Sequence, residues 1–238
     1  MMSGAYGRVR VDTCASPWMD ACHTKICHSS RLFEWGLNLV IALRMHCFLM
    51  LHSAVLERNG RALALPAAPG SGKTTLCVAL AARGWRLLSD EFGLLRPGTT
   101  RFLPLPRPMP LKNESIQIIR AFSPGIEIGP IITGTRKGTV AHVRPPAGSV
   151  ERQHELTPVR WLVFPEWCAG ARLSLHEIPS AEGFMRLAAN AFNYEMLGIA
   201  GFETVRDLIN ASRSFRLTYS NLDEAVAQLS ALADSDVD

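Results

Sequence analysis

Apolar and polar positions divide the chain into short runs that alternate between helical and strand patterns. From Leu32 to about Met45, Phe33, Leu37, Val40, Ile41 and Leu43 share one broad helical face. Phe48–Glu57 reads as an apolar strand, and Arg61–Leu65 as a second one returning after Asn59-Gly60. Asn-Gly between two apolar runs is the strongest short signal for a hairpin. Leu76, Val78, Ala79, Leu80 and Ala82 then make a compact apolar helix, with Gly84 placed to end it. Trp85–Glu91 reads as a buried strand closing on two acids, with Phe92–Leu95 extending it toward a turn at Pro97-Gly98.

The second half is less regular. Prolines at 104, 106, 108 and 110 make 103–111 an extended surface path. Glu114–Phe122 reads as a helix capped by Asn113. Glycine and proline dominate from Pro124 to Gly148. Short strands are expected at Trp161–Phe164 and Ala171–Ile178, and a helix from a Ser180 cap to about Asn193. Helices at Gly201–Ala211 and Asp223–Ala233 flank a strand at Ser214–Tyr219. Interleaved strands and helices predict an α/β fold, a mixed sheet with an N-terminal hairpin and C-terminal helices. Residues 1–30 show neither period and read as an irregular leader ahead of one domain over 31–238.

Between the hairpin and the apolar helix stands Pro66-Ala67-Ala68-Pro69-Gly70-Ser71-Gly72-Lys73-Thr74-Thr75. It meets the phosphate-loop pattern G-x-x-x-x-G-K-[ST] at every position but the first, where Ala67 replaces glycine. Gly70 and Gly72 can take the positive φ that aims successive N–H groups at one anion. Lys73 supplies a charge for the β/γ-phosphates, Thr74 a hydroxyl for Mg²⁺, and the following helix the positive end of its dipole. Ala67 is tolerated if its φ is negative. A plain glycine-rich turn would need neither the preceding apolar strand nor the following helix.

Composition narrows the function classes. Hydrophobic residues make up 47% of 238, which suits a globular chain. The net charge of +4 is mild and its Lys and Arg are scattered, so no nucleic-acid partner is expected. The most apolar stretch, Leu37–Leu56, is broken by Arg44, His46 and His52, and no membrane partner is expected. The six irregularly spaced cysteines and the absence of a signal-peptide pattern suit reduced thiols in a cytoplasmic protein. Cys14, Cys22-His23 and Cys27-His28 match no standard zinc spacing.

Phosphoryl transfer needs carboxylates for Mg²⁺ and a place for the acceptor's proton. Asp90-Glu91, at a strand end, is the obvious source, because ligands of parallel α/β units bind at the carboxyl ends of neighbouring strands. His52, in the middle of an apolar strand, suits a buried core histidine or a catalytic one. Lys112-Asn113 and Arg136-Lys137 suit either solvated loops or the binding of phosphoryl groups.

These pieces together resemble the HPr serine kinase/phosphorylase group, and within it the HprK-related kinase A offshoot. The matching strings are Leu51-His52-Ser53-Ala54-Val55, Ala68–Leu76 and Arg83-Gly-Trp-Arg-Leu-Leu-Ser-Asp-Glu91. Pro104–Pro108, Leu111-Lys-Asn113, Thr135–His142 and Asn190-Ala-Phe-Asn-Tyr194 extend the likeness, which runs from about Glu34 to the C-terminus. The resemblance implies a P-loop kinase domain of the phosphoenolpyruvate-carboxykinase-like type that uses ATP and Mg²⁺ to phosphorylate a hydroxyl, serine first among candidates. The acceptor would be a protein, peptide or small molecule, and a homo-oligomer is compatible with it. Asp90 falls on the family's proton acceptor and His52 on its active-site histidine. Glu91 stands where the parent family has aspartate, as a candidate metal contact. Residues 1–30 lie outside the likeness, and no string matches the parent family's loop for the reverse, phosphorolytic reaction. A nucleotide-sensing module without transfer chemistry is the alternative.

Overall fold

The computed structural model describes residues 36–41 and 43–235. Chain contacts divide the protein into two units at the Ile41/Ala42 boundary. Of the first, residues 36–41 are helical (α1). The cysteine-histidine stretch considered for zinc lies outside the described residues.

The second unit is α/β, built on a mixed eight-stranded sheet. β1 (Leu49–Arg58) and β2 (Arg61–Pro66) form the expected hairpin, with Arg58 opposite Arg61 and Ser53 opposite Pro66. Asn59 and Gly60 both take positive φ (54° and 73°), as a two-residue turn that follows the twist of the strands requires. β2 pairs in parallel with β9 (Thr157–Trp167), which pairs in parallel with β11 (Arg213–Tyr219). β10 (Ser174–Glu177) closes that side.

On its other side β1 meets two strands in succession. β3 (Arg86–Ser89) pairs antiparallel with residues 55–57, and β4 (Phe92–Leu95) antiparallel with residues 49–52. The two are one ladder, interrupted at Asp90-Glu91. The expected strand through Glu91 therefore stops at Ser89, and Glu91 has a φ of 87°. β4 leads to β5 (Arg101–Leu103), which also reaches β9. The strands β1, β4, β5, β9 and β2 thus close into a ring.

Two apolar layers cover the sheet. The helix α2 (Lys73–Ala82) is buried on nearly every side, as its apolar run from Leu76 to Ala82 demands. It packs with Ala54 and Leu56 of β1, with α8 (Leu222–Ser235), with α3 (Glu114–Phe122), and with a small sheet of β6 (Met109–Lys112), β8 (Gly138–Val143) and β7 (Ile132–Thr135). The other layer joins Leu49, Leu51 and Val55 to α5 (Ser180–Ala189) and α7 (Ile199–Ala211). The glycine- and proline-rich stretch holds β7, β8 and the short α4 (Ala147–Glu151). The expected helix to Asn193 ends at Ala189, with a separate turn α6 (Tyr194–Leu197) following.

Two caps differ from expectation. Ser180 is the first residue inside α5, behind Pro179, and makes no capping bond. Asn113 precedes α3 but its amide oxygen accepts from Thr139 N–H at 3.0 Å, so the side chain ties α3 to β8 instead. Among the described residues no helix is long and apolar enough to cross a membrane, and Cys47, Cys77 and Cys168 form no disulfide.

Candidate functional site

Most of the residues picked from sequence converge on one cavity of about 600 Å³. Its wall includes His52 from β1, Ala68, Pro69, Gly70, Gly72, Lys73, Thr74 and Thr75 from the loop, and the pair Asp90-Glu91. Lys112 and Lys137 close the opposite side from the small sheet. Ala67, Ser71, Asn113 and Arg136 do not line the cavity.

The local backbone explains the loop. Gly70 and Gly72 have φ of 89° and 83°. Gly72 is required twice over, because a Cβ there would lie 2.7 Å from the Tyr219 hydroxyl. Outside glycine, positive φ among the described residues occurs only at Asn59, Glu91 and Asn113. Ala67 therefore meets no penalty where the pattern has glycine. α2 begins at Lys73, directly behind Gly72, so its free N–H groups face the cavity.

β1 determines how the acids reach the loop. The loop leaves β2, and the acids interrupt the β3–β4 ladder on the opposite edge of β1. They thus approach across β1, not from an adjacent parallel strand as the sequence suggested. β2 and β3 are both antiparallel to β1, so both end at the same end of the sheet. His52 lies between them. Its side chain shares a face with Ala54 and Leu56, the α2 side.

The cavity wall carries three lysines and two acids. Thr74 Oγ1 donates to Asp90 Oδ1 at 3.4 Å. Asp90 Oδ2 and Lys73 Nζ are buried and accept or donate no hydrogen bond. Burial pushes the Asp90 carboxyl above its ordinary range; Lys73 pulls it back, and Glu91 raises it further. Burial also draws the Lys73 ammonium down, opposed by Asp90 and Glu91. The His52 imidazole is lowered to about 4, by burial first and then by Lys73 and Lys112. It is therefore neutral near pH 7. Glu91 holds a φ that costs a non-glycine residue about 1–3 kcal/mol, the kind of strain that clusters at functional sites.

A divalent cation fits this donor set. Mg²⁺ is bound through one or two carboxylates together with substrate phosphates, not by a protein cage. Thr74, Asp90 and Glu91, which line the cavity together, supply such donors. Among the described residues there is no cluster of three or more His, Cys, Asp or Glu that would make a separate metal cage.

Several contributors had no local signal in the sequence. Ser115 Oγ accepts from Lys112 N–H at 2.8 Å and donates to Lys112 C=O at 2.7 Å, fixing the backbone that carries this lysine. Phe192 lies 5.4 Å from the His52 ring, centroid to centroid, and 5.4 Å from Phe92. It is held there by Asn193, whose amide accepts from Met50 N–H at 3.0 Å and donates to Phe48 C=O at 2.7 Å. The His52 backbone N–H in turn donates to Asn190 C=O at 2.7 Å. The Asn190–Tyr194 string is thus the clasp along residues 50–52 of β1, on the edge that β2 covers only from Ser53 onward.

No protein-family model matches the chain, and no curated protein matches it.

Proposed function

We propose that the protein is an ATP-dependent kinase that transfers the γ-phosphate to a hydroxyl of a protein, peptide or small molecule, with serine the leading acceptor. The observation that carries this reading is the meeting of a phosphate loop with its lysine, a buried carboxylate and two further lysines around one cavity. A nucleotide site alone would need only the first of these.

Loop N–H groups and Lys73 bind the β- and γ-phosphates. Mg²⁺, held by Thr74 and Glu91 with help from Asp90 Oδ1, would neutralise charge on the phosphates. Asp90 Oδ2 accepts the proton of the acceptor hydroxyl as its oxygen bonds to the γ-phosphorus. The bond from that phosphorus to the bridging oxygen breaks, and ADP leaves. The raised Asp90 carboxyl makes a better proton acceptor than an ordinary carboxylate. Lys112 and Lys137 offer charge to the phosphoryl group in flight, and neutral His52 a hydrogen bond.

Incubation of the full chain with γ-labelled ATP and cell lysate, against Lys73→Ala, tests the proposal. Label should enter an acceptor only with the wild-type protein. ATP binding without transfer to any acceptor would refute the kinase reading and leave a nucleotide-sensing module.

A further inference from the structure

The strands parallel to β2 end on the other side of the phosphate loop from Asp90. Ala64 of β2 lies opposite Leu162 of β9. Carried forward, that register sets the end of β2 level with Phe164, and β9 runs on to Trp167, about 10 Å farther. Trp167 is level with Tyr219 at the end of β11. Both residues stand against the loop: a Cβ on Gly72 would lie 2.7 Å from the Tyr219 hydroxyl and 3.2 Å from Trp167 Cβ.

The two aromatics differ in one respect. Tyr219 is 2% exposed and belongs to the core, whereas Trp167 is 51% exposed. The indole is nonetheless anchored. Its Nε1–H donates to Ser220 C=O at 3.3 Å, and the next residue, Cys168, donates its N–H to Tyr219 C=O at 2.9 Å. A large, pinned aromatic face left in water beside a phosphate loop has no packing role to explain it.

Direction settles what could use that face. Thr74, Asp90 and Lys112 hold the terminal-phosphate side of the loop. A nucleotide anchored with its last phosphate there extends its nucleoside the opposite way, toward the ends of β9 and β11. Ligands of parallel strands lie outside those carboxyl ends. We infer that Trp167 is the platform on which the purine base of the bound nucleotide stacks, an assignment that rests on the nucleotide reading above. Its bond to Ser220 sets the ring orientation, and Tyr219 supports Gly72 from beneath.

Titration calorimetry of the full chain with ATP and with inorganic tripolyphosphate tests this, using wild type, Trp167→Ala, Trp167→Phe and Lys73→Ala. Trp167→Ala should weaken ATP about five- to a hundred-fold, the range of a lost base stack, while tripolyphosphate stays within about twofold. Trp167→Phe should bind ATP close to wild type. Should the alanine variant not fold, Trp167→Leu keeps the apolar bulk without the π face and must show the same selective loss. Unchanged ATP affinity, or equal loss of both ligands, overturns the base platform while leaving the loop's role intact. Absence of binding to either ligand by wild type, or no effect of Lys73→Ala, overturns the nucleotide reading and the platform with it.

Discussion

Thr74 and Asp90, 16 residues apart, are joined by a hydrogen bond from the threonine hydroxyl to Oδ1 of the acid, at 3.4 Å. The contact links the first turn of α2 to the break in the β3–β4 ladder. It occupies one carboxylate oxygen and leaves the other, Oδ2, buried without a partner. A single acid thus has one oxygen committed to the loop side and one available to a reacting group.

Replacing Asp90 by Asn should therefore separate binding from chemistry. The amide oxygen can still accept from Thr74, so ATP affinity should hold. Transfer should fall by about a hundred- to ten-thousand-fold, the usual contribution of a positioned base. Single-turnover transfer from labelled ATP, once an acceptor is found, checks this; full activity would remove the proton-acceptor assignment.

The same substitution should stabilise the fold at neutral pH. A raised native carboxyl means that the folded state retains a proton that the unfolded chain has lost, so stability falls as pH climbs through that interval. Asn carries no such penalty. Thermal melts from pH 4 to 8 should show Asp90→Asn gaining on wild type as pH rises, and a lower melting point at pH 7 would contradict the burial argument.

His52 works with the opposite sign. Its native value of about 4 lies below the ordinary 6.5, so the unfolded chain binds a proton that the folded one does not. Stability from this group is complete above about 6.5 and is lost as pH falls toward 4. Wild type should lose stability relative to His52→Gln across that window. Parallel denaturation curves at every pH would show that the imidazole is not held neutral.

Gly72→Ala should cost about 1–3 kcal/mol from its left-handed backbone alone. The Tyr219 hydroxyl, 2.7 Å from the new methyl, adds to this. Combining it with Tyr219→Phe should recover part of the loss, seen as a positive coupling in a double-mutant cycle by chemical denaturation. Strict additivity would mean that the tyrosine does not crowd the loop.

Asn193→Ala should act on His52 from a distance. It strands Met50 N–H and Phe48 C=O, worth about 1–3 kcal/mol, and loosens Phe192 over the imidazole. As water reaches the ring, the His52 pKa should rise toward its ordinary value in an NMR titration. Destabilisation without that rise would make Asn193 a purely structural clasp.

Sequence carried the hairpin, the loop and the acid pair, because each is a local signal: Asn-Gly fixes a turn, and the glycines fix the loop backbone. The small sheet was hidden by its own composition. Pro110 sits inside β6, which pairs only with β8 and can spare an N–H. Caps at Asn113 and Ser180 followed residue preference, and tertiary partners or a neighbouring proline prevailed. The clasp of Asn193 on Met50 spans 143 residues and has no local trace. The approach of the acids across β1 was equally invisible, since strand order is not written in any one strand.

The closed ring of β1, β4, β5, β9 and β2 bears on how the protein is made. Every residue lining the cavity lies between His52 and Lys137, yet β2 and β5 both await β9, which begins at Thr157. A growing chain on the ribosome therefore displays its complete set of cavity residues while two strand flanks remain unpaired and prone to stick to other chains. Fragments cut after Lys137 would hold the chemistry on paper and aggregate in practice. The stretch after Lys137, none of which lines the cavity, is what lets the site exist.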